Sequence, residues 1–145
     1  MTAEGVFTKA HIARENLERL AQLSQHGFEE WSSDFRNVDS TLHRLQTTIQ
    51  ALIDLASFAC AAHALGPAAT SRELLSELVR AGHLPAGSVE TYGPIFGFRN
   101  RVVHLYDRID ERIVYRILQE HRADLTRLLE LLLVAIAAGM EESPG

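Results

Sequence analysis

A chain of 145 residues suits one domain with a single hydrophobic core, and 46% hydrophobic and 23% charged residues are ordinary for a globular protein. The formal net charge of −5 argues against a general nucleic-acid binder, because phosphate affinity comes largely from Lys and Arg. The single cysteine, Cys60, excludes an internal disulfide and a cysteine-based zinc site. Residues 1–10 do not resemble a secretory signal, and no apolar run approaches the roughly 20 residues of a membrane span. We therefore expect a cytoplasmic protein without a membrane partner.

The first half of the chain is predicted to form two long helices with a short turn between them. Apolar residues at helical spacing predict a helix from Thr8 to Ser24, which Gly27 would end in a left-handed conformation. A short helical turn would then place Trp31 and Phe35 over the core. Residues 37–40 offer N-cap side chains for a long second helix, whose narrow apolar seam predicts packing along another helix.

The second half is predicted to form a short helix and then two longer ones. Residues 70–73 have the pattern of a capping box, and Gly82 would close the short helix that follows. The next helix, at about 88–106, contains Pro94, so it either restarts or is kinked there. Gly97 would leave room for a close neighbour.

The last predicted helix runs from 111 to 138. Asp107 or Asp110 would cap it, Gly139 would end it, and a tail at about 140–145 would be flexible. No stretch shows strand alternation. The sequence therefore predicts a single all-α domain over 1–145, a bundle of four main helices and a short one.

Polar chemistry is concentrated between residues 96 and 107. Two arginines, an amide, an imidazole, a phenol and a carboxylate lie there among apolar side chains: Arg99, Asn100, Arg101, His104, Tyr106 and Asp107. A surface helix does not need this mixture, and a buried helix would not tolerate it unpaired. We therefore interpret this stretch as a candidate site.

Helical geometry separates these residues into faces. At about 100° per residue, Arg99 and Tyr106 share one face and Asn100 and His104 share another. Arg99 and His104 would diverge by about 140° on a straight helix, so one helix presents them poorly as a pair. Either the helix unwinds near His104, or a second chain completes the site. We favour a second chain, because a two-fold axis beside this helix would bring two histidines and two arginines together.

Arginine and histidine without a catalytic cysteine, a Ser-His-Asp set or a carboxylate pair suit RNA cleavage that needs no metal. A neutral imidazole would take the proton of the 2′-hydroxyl as it attacks the adjacent phosphate, and an imidazolium would protonate the leaving 5′-oxygen. Arg99 would hold the phosphate and stabilise the growing charge, and Asn100 would orient the imidazole or the phosphate.

Structural explanations remain open for the same residues. Arg99 and Arg101 could pair with Asp107, Asp110 or Glu111, and Tyr106 could be a core residue with a satisfied hydroxyl group. His104 and Asp107 are three residues apart, but no second helix offers a matching pair of metal ligands, so we expect no metal site. No glycine-rich phosphate loop is present, so we expect no bound nucleotide cofactor.

The motif residues resemble those of the HEPN superfamily, and specifically the HepT-like ribonuclease toxins of the HepT–MntA (type VII) toxin–antitoxin systems. The motif of that family, Arg-x4-His-x-Tyr with Asn after the Arg, stands here at residues 99–106. Residues 45–56 and 72–85 and the start of the last helix are also similar to the family pattern. The resemblance covers about residues 39–132.

The resemblance implies an antiparallel HEPN bundle of four to five helices that forms a homodimer around the motif helix, with a composite cleft at the two-fold interface. It implies a toxin that acts as a metal-independent endonuclease on tRNA or mRNA and leaves a 2′,3′-cyclic phosphate. Arg99 and His104 would be catalytic, and Asn100, Arg101 and Asp107 would support them.

The resemblance also implies a partner. An MntA-like nucleotidyltransferase antitoxin would neutralise the toxin by transferring AMP from ATP to Tyr106. One alternative is a non-catalytic HEPN-like protein that docks such a nucleotidyltransferase. Another is a helical oligomer in which the polar cluster only fixes the register of a dimer.

Overall fold

The computed structural model describes residues 2–104 and 110–142, without the side chains of 101–104 and 142. Within these ranges the chain is all-α, as predicted, and contains no strand. Its helices, in chain order, are α1 (Ala3–Leu23), α2 (Phe28–Ser33), α3 (Phe35–Ala62), α4 (Ser71–Arg80), α5 (Ser88–His104), α6 (Glu111–Glu120) and α7 (Arg122–Glu142). All seven contribute side chains to one hydrophobic core.

Helix α1 begins earlier than predicted and ends differently. The Thr2 hydroxyl oxygen caps its N-terminus by accepting a hydrogen bond from the Gly5 N–H at 3.1 Å. Gly27 has an extended conformation (φ −68°, ψ 164°) and lies at the N-cap of α2, so the predicted left-handed cap was wrong. Side chains of α6 satisfy carbonyls in the connection instead: Gln119 donates to Ser24 O at 2.8 Å, and Tyr115 donates to His26 O at 2.7 Å.

Asp34 separates α2 from α3. It has an extended backbone, and its carboxylate accepts a hydrogen bond from the Arg36 N–H at 2.9 Å, which starts α3 before the predicted caps at 37–40. Trp31 is fully buried and donates its indole N–H to the Thr41 hydroxyl at 3.0 Å. Phe35 is 72% exposed, so the prediction that it covers the core was wrong.

Helix α3 is the central helix of the fold. It contacts α1, α4, α5 and α7, and Leu45, Ile49, Leu52 and Ala56 of the predicted seam are fully buried. By length and composition alone α3 could cross a membrane, with a mean hydropathy of 1.2 in its best window. Half of that window is buried inside the protein, and the core helix of a globular protein passes the same test.

The last predicted helix is divided into α6 and α7 at His121, whose backbone leaves the helical region (φ −112°, ψ 1°). Gly139 does not end α7, because the helix continues to Glu142. A Cβ atom at Gly139 would lie 2.9 Å from the Cβ of Ala62, so this glycine permits a close crossing of α7 over α3. The part of the predicted flexible tail at 143–145 lies outside the described residues.

The capping predictions around α4 are confirmed. The Thr70 hydroxyl oxygen accepts a hydrogen bond from the Glu73 N–H at 3.2 Å, and the Glu73 carboxylate accepts one from the Ala69 N–H at 2.7 Å. Gly82 has a positive φ of 83° immediately after the helix, and the His83 N–H donates to Leu78 O at 2.8 Å. This connector leads the chain directly to α5, which carries the candidate site.

Candidate functional site on helix α5

Helix α5 contains the described part of the polar stretch and runs without interruption through Pro94. Of the two alternatives predicted for Pro94, a restart or a kink, the restart was therefore wrong. Proline removes the N–H that would bond to the Glu90 carbonyl. Both Pro94 and Glu90 are exposed, so water can satisfy that carbonyl.

The apolar side chains of α5 fix its rotation against the core. Tyr92, Ile95, Phe96 and Phe98 are all buried. This orientation turns Gly97 and Asn100 outward, where both are exposed. No described atom outside the helix lies within 4 Å of a Cβ built on Gly97, so the described residues do not supply the predicted close neighbour.

The close approach occurs one turn earlier, at Gly93. A Cβ on Gly93 would lie 2.6 Å from Nη1 and 2.9 Å from Cζ of Arg72, on helix α4. The guanidinium group therefore lies directly on the backbone of the motif helix and buries Gly93. Sequence reasoning missed Arg72 as a residue of this region, because nothing in the local pattern of α4 indicates which helix its side chain reaches.

Arg99 is half-buried on α5, and Asn100 lies beside it. The Arg99 Nη1 donates a hydrogen bond to the Asn100 Oδ1 at 3.3 Å. The Arg99 Nε is buried, and no described atom accepts a hydrogen bond from it. Leaving a buried N–H unsatisfied typically costs about 1–3 kcal/mol. The arginine therefore has a donor that the fold itself does not use.

For Arg99, the structural explanation by ion pairing fails for two of the three proposed carboxylates. The Asp110 carboxylate accepts a hydrogen bond from the Arg112 N–H at 2.8 Å and caps α6. Among the described side chains, neither Asp110 nor Glu111 forms an ion pair with Arg99. The remaining predicted partner, Asp107, lies outside the described residues.

The backbone is helical up to His104, so the helix does not unwind before that residue. Arg99 and His104 therefore start from positions about 140° apart around α5, as the spacing predicts. The side chains of Arg101 and His104, and all of Tyr106 and Asp107, lie outside the described part of the chain. Of the predicted site residues, the structure brings together Arg99 and Asn100.

A half-open cavity of about 420 Å³ is lined by residues of α5, α6 and α7. Its walls include Phe98, Ile117 and a pair that the sequence analysis did not single out, His121 and Asp124, with Nδ1 and Oδ2 3.0 Å apart. Burial, and secondly the Asp124 charge, raise the pKa of the Tyr92 phenol on the facing turn of α5. The spacing of three residues between His121 and Asp124 was the sequence signal that could have indicated this pair.

In the described ranges no three His, Cys, Asp or Glu side chains cluster as metal ligands.

Comparison with known proteins identifies relatives over nearly the whole chain. The family model described as ribonuclease HepT-like matches residues 13–132. The mRNA nuclease HepT of Shewanella oneidensis is 24% identical over 127 residues, which cover 88% of this chain and 95% of the relative.

Solved structures share the fold. One, described as a tri-AMPylated Shewanella oneidensis HEPN toxin in complex with an MNT antitoxin, matches with a TM-score of 0.81 and 23% identity and covers 92% of this chain and 99% of that one. Another, described as a toxin–antitoxin with AMP-PNP, matches with a TM-score of 0.78 and 22% identity over 91% of this chain and 99% of its own.

Proposed function

The chain belongs to the ribonuclease HepT-like family, and we propose that it is the RNA-cleaving toxin of a toxin–antitoxin pair, acting on mRNA or tRNA in the cytoplasm. The observation that carries the proposal is the unsatisfied Nε of Arg99 beside Asn100, at the start of the family motif. A donor left without a partner at a conformationally fixed position is suited to an external acceptor, and phosphate oxygens match an arginine fork. The similar HepT of Shewanella oneidensis is named an mRNA nuclease, which supports RNA as the substrate.

In the proposed reaction His104 removes the proton of the 2′-hydroxyl, whose oxygen attacks the adjacent phosphorus. The bond from phosphorus to the 5′-oxygen breaks, and an imidazolium supplies the proton that this oxygen needs. The products are a 2′,3′-cyclic phosphate and a 5′-hydroxyl. Arg99 donates to the phosphate oxygens as their charge grows. Asn100, Arg101 and Asp107 support these two groups, and no metal ion takes part.

The proposed active unit is a homodimer. One copy places Arg99 and His104 about 140° apart on one continuous helix, so a two-fold axis beside α5 is the simplest way to bring an arginine and a histidine to one phosphate. Mixing inactive Arg99→Ala and His104→Ala chains tests this. Mixed dimers should restore about a quarter of the wild-type activity if each site takes the two residues from different copies, and none if one copy supplies both.

The proposed regulator is an MntA-like nucleotidyltransferase that transfers AMP to Tyr106. A structure that resembles this chain is described as a tri-AMPylated toxin in complex with an MNT antitoxin, which supports a partner of this class. Tyr106 lies seven residues after Arg99 in the sequence. Each AMP group would add a negative charge and a base, which would oppose the Arg99 cation and block the entry of RNA.

The deciding experiment is cleavage of total RNA and tRNA by the purified protein in excess EDTA, beside a His104→Ala variant shown to be folded by circular dichroism. Cleavage that ends in a 2′,3′-cyclic phosphate and is absent in the variant supports the proposal. If unmodified wild-type protein, verified by intact mass, cuts no RNA, the chain is instead a docking partner of the nucleotidyltransferase. An added mass of AMP would mean that an inhibited toxin had been purified.

A further inference from the structure

We infer that Arg72 is a second phosphate-binding residue, which holds an RNA phosphate within a few nucleotides of the one that is cleaved. The inference rests on the proposed function and deepens it, because it assigns part of the RNA-binding surface to α4. Three observations carry it: the position of the guanidinium group against α5, the absence of a carboxylate partner, and the shape of the surface that leads to Arg99 and Asn100.

The absence of a side chain at Gly93 makes room for the guanidinium group of Arg72 on the motif helix. Its Nη1, Cζ and Nε atoms lie 2.6, 2.9 and 3.4 Å from the position that a Cβ on Gly93 would occupy. Any other residue at position 93 would displace the arginine. The fold thereby places this positive charge directly against the motif helix.

Arg72 is exposed and has no hydrogen bond or ion pair from its side chain to any described residue. The carboxylates nearest in sequence are engaged elsewhere. Glu73 accepts the hydrogen bond from the Ala69 N–H, and Glu77 pairs with Arg80. The positive charge of Arg72 is therefore available to an anion from outside the chain.

Arg72 and the motif residues lie along one side of α5. Gly93 and Asn100 are seven residues apart, so they lie within about 20° around the helix and about 10 Å along it. Gly97 lies between them, with open space where a side chain would be. An RNA strand can therefore approach the helix backbone closely at Gly97, between the two arginines.

This surface favours RNA over a docked protein. Arginine presents several N–H donors in a planar fork that fits phosphate oxygens. Between Gly93, which the guanidinium group covers, and Asn100, the exposed residue Gly97 offers no aromatic or large aliphatic side chain of the kind that anchors a protein interface. A charged, flexible strand needs no such anchor.

The test measures the affinity for a single-stranded RNA in EDTA across a range of salt concentrations. It uses the full chain with the His104→Ala change, so that RNA stays intact. Arg72→Gln should weaken binding about tenfold, because it removes one charged contact. It should also reduce the salt dependence of binding: the slope of the logarithm of the RNA association constant against the logarithm of the salt concentration should fall in magnitude by about 0.7. The matched control is Arg80→Gln, which removes the same charge from the same helix where Glu77 already pairs with it, and it should change neither quantity.

A second variant keeps the charge and changes only its place. Gly93→Ala puts a methyl group 2.6 Å from the present position of Nη1, so the guanidinium group must move away. This variant should weaken RNA binding in the same direction as Arg72→Gln while circular dichroism shows an unchanged helix content. In the cleavage-competent chain, Arg72→Gln should raise KM and leave kcat nearly unchanged, which a merely structural role would not do.

Equal RNA affinity for the Arg72→Gln and Arg80→Gln chains would overturn the inference and leave the proposed function intact. Weaker binding of a nucleotidyltransferase partner with unchanged RNA affinity would also overturn it, and would assign Arg72 to protein docking. A chain with wild-type Arg72 that neither binds nor cleaves RNA would overturn the proposed function and the inference together.

Discussion

Two half-buried arginines are expected to respond in opposite ways when each is replaced by methionine. Arg99 leaves its buried Nε without a partner among the described atoms, and its one hydrogen bond, to Asn100, is exposed and long at 3.3 Å. Arg44 donates to the Asn16 Oδ1 at 3.0 Å and to the Ser40 Oγ at 3.3 Å. The two side chains are similar in exposure and size and differ in whether the fold uses their donors.

The expected changes in the free energy of unfolding follow from this difference. Arg99→Met removes an unsatisfied N–H that costs about 1–3 kcal/mol and an exposed hydrogen bond worth about 0.5–1 kcal/mol, so the variant should be more stable by about 1 kcal/mol. Arg44→Met leaves the acceptor of Asn16, a residue only 8% exposed, without its partner. That variant should be less stable by about 1–3 kcal/mol.

Urea unfolding followed by circular dichroism measures both variants at one protein concentration. Arg99→Met should also abolish RNA cleavage, so the more stable protein should be the inactive one. A loss of stability in Arg99→Met as large as that in Arg44→Met would refute the reasoning. It would mean that the Arg99 Nε has a partner in the assembled protein.

Four further substitutions test the packing, a helix cap and a buried thiol. Gly139→Ala should lower the free energy of unfolding by about 1 kcal/mol, because overpacking against Ala62 at 2.9 Å outweighs the gain in helix propensity. Gly97→Ala should raise the free energy of unfolding by about 0.5–1 kcal/mol, because its methyl group would lie in open space. Thr70→Ala should cost about 1 kcal/mol through loss of the α4 cap, measured by urea unfolding. Burial raises the pKa of the Cys60 thiol. The thiol therefore stabilises the fold below its ordinary pKa of about 8.5, and this stabilisation is lost as the pH rises above that value. In urea unfolding at alkaline pH, the free energy of unfolding of Cys60→Ala should fall less steeply with pH than that of the wild type.

Local signals predicted the helices and some of their ends. The capping residues of α4 could be read from the sequence because an N-cap side chain acts within three residues of itself, as Thr70 does on Glu73. The left-handed glycine after α4 is similarly local, and Gly82 has the expected positive φ. The seam of α3 was predictable because burial repeats with the helical period, as at Leu45 and Ile49.

The roles of the other glycines could not be predicted in the same way. A Cβ on Gly27 or Gly97 would meet no described atom of another element within 4 Å, whereas one on Gly139 would meet Ala62, and such contacts depend on residues distant in sequence. Gly139 is next to Ala62 only because α7 returns across the end of α3. The break at His121 was hidden for a related reason, since the apolar pattern continues across it from Leu118 to Leu125 and both are fully buried.

The candidate site shows the same division between local and distant information. The contact between Arg99 and Asn100 joins neighbours in sequence, and the motif predicted both residues. The position of Arg72 depends on the packing of α4 against α5, so it appears only in the fold.

The unsatisfied donor of Arg99 links the stability of the fold to its proposed chemistry. A guanidinium group that was fully paired inside the chain would have to break those bonds before it could hold a phosphate, and that cost would be subtracted from binding. Arg99 and Arg72 lack ion pairs with the described carboxylates, although Arg36 and Arg80 each pair with one. Both charges lie at the motif helix without a described carboxylate to neutralise them, so a phosphate bound there would compensate them.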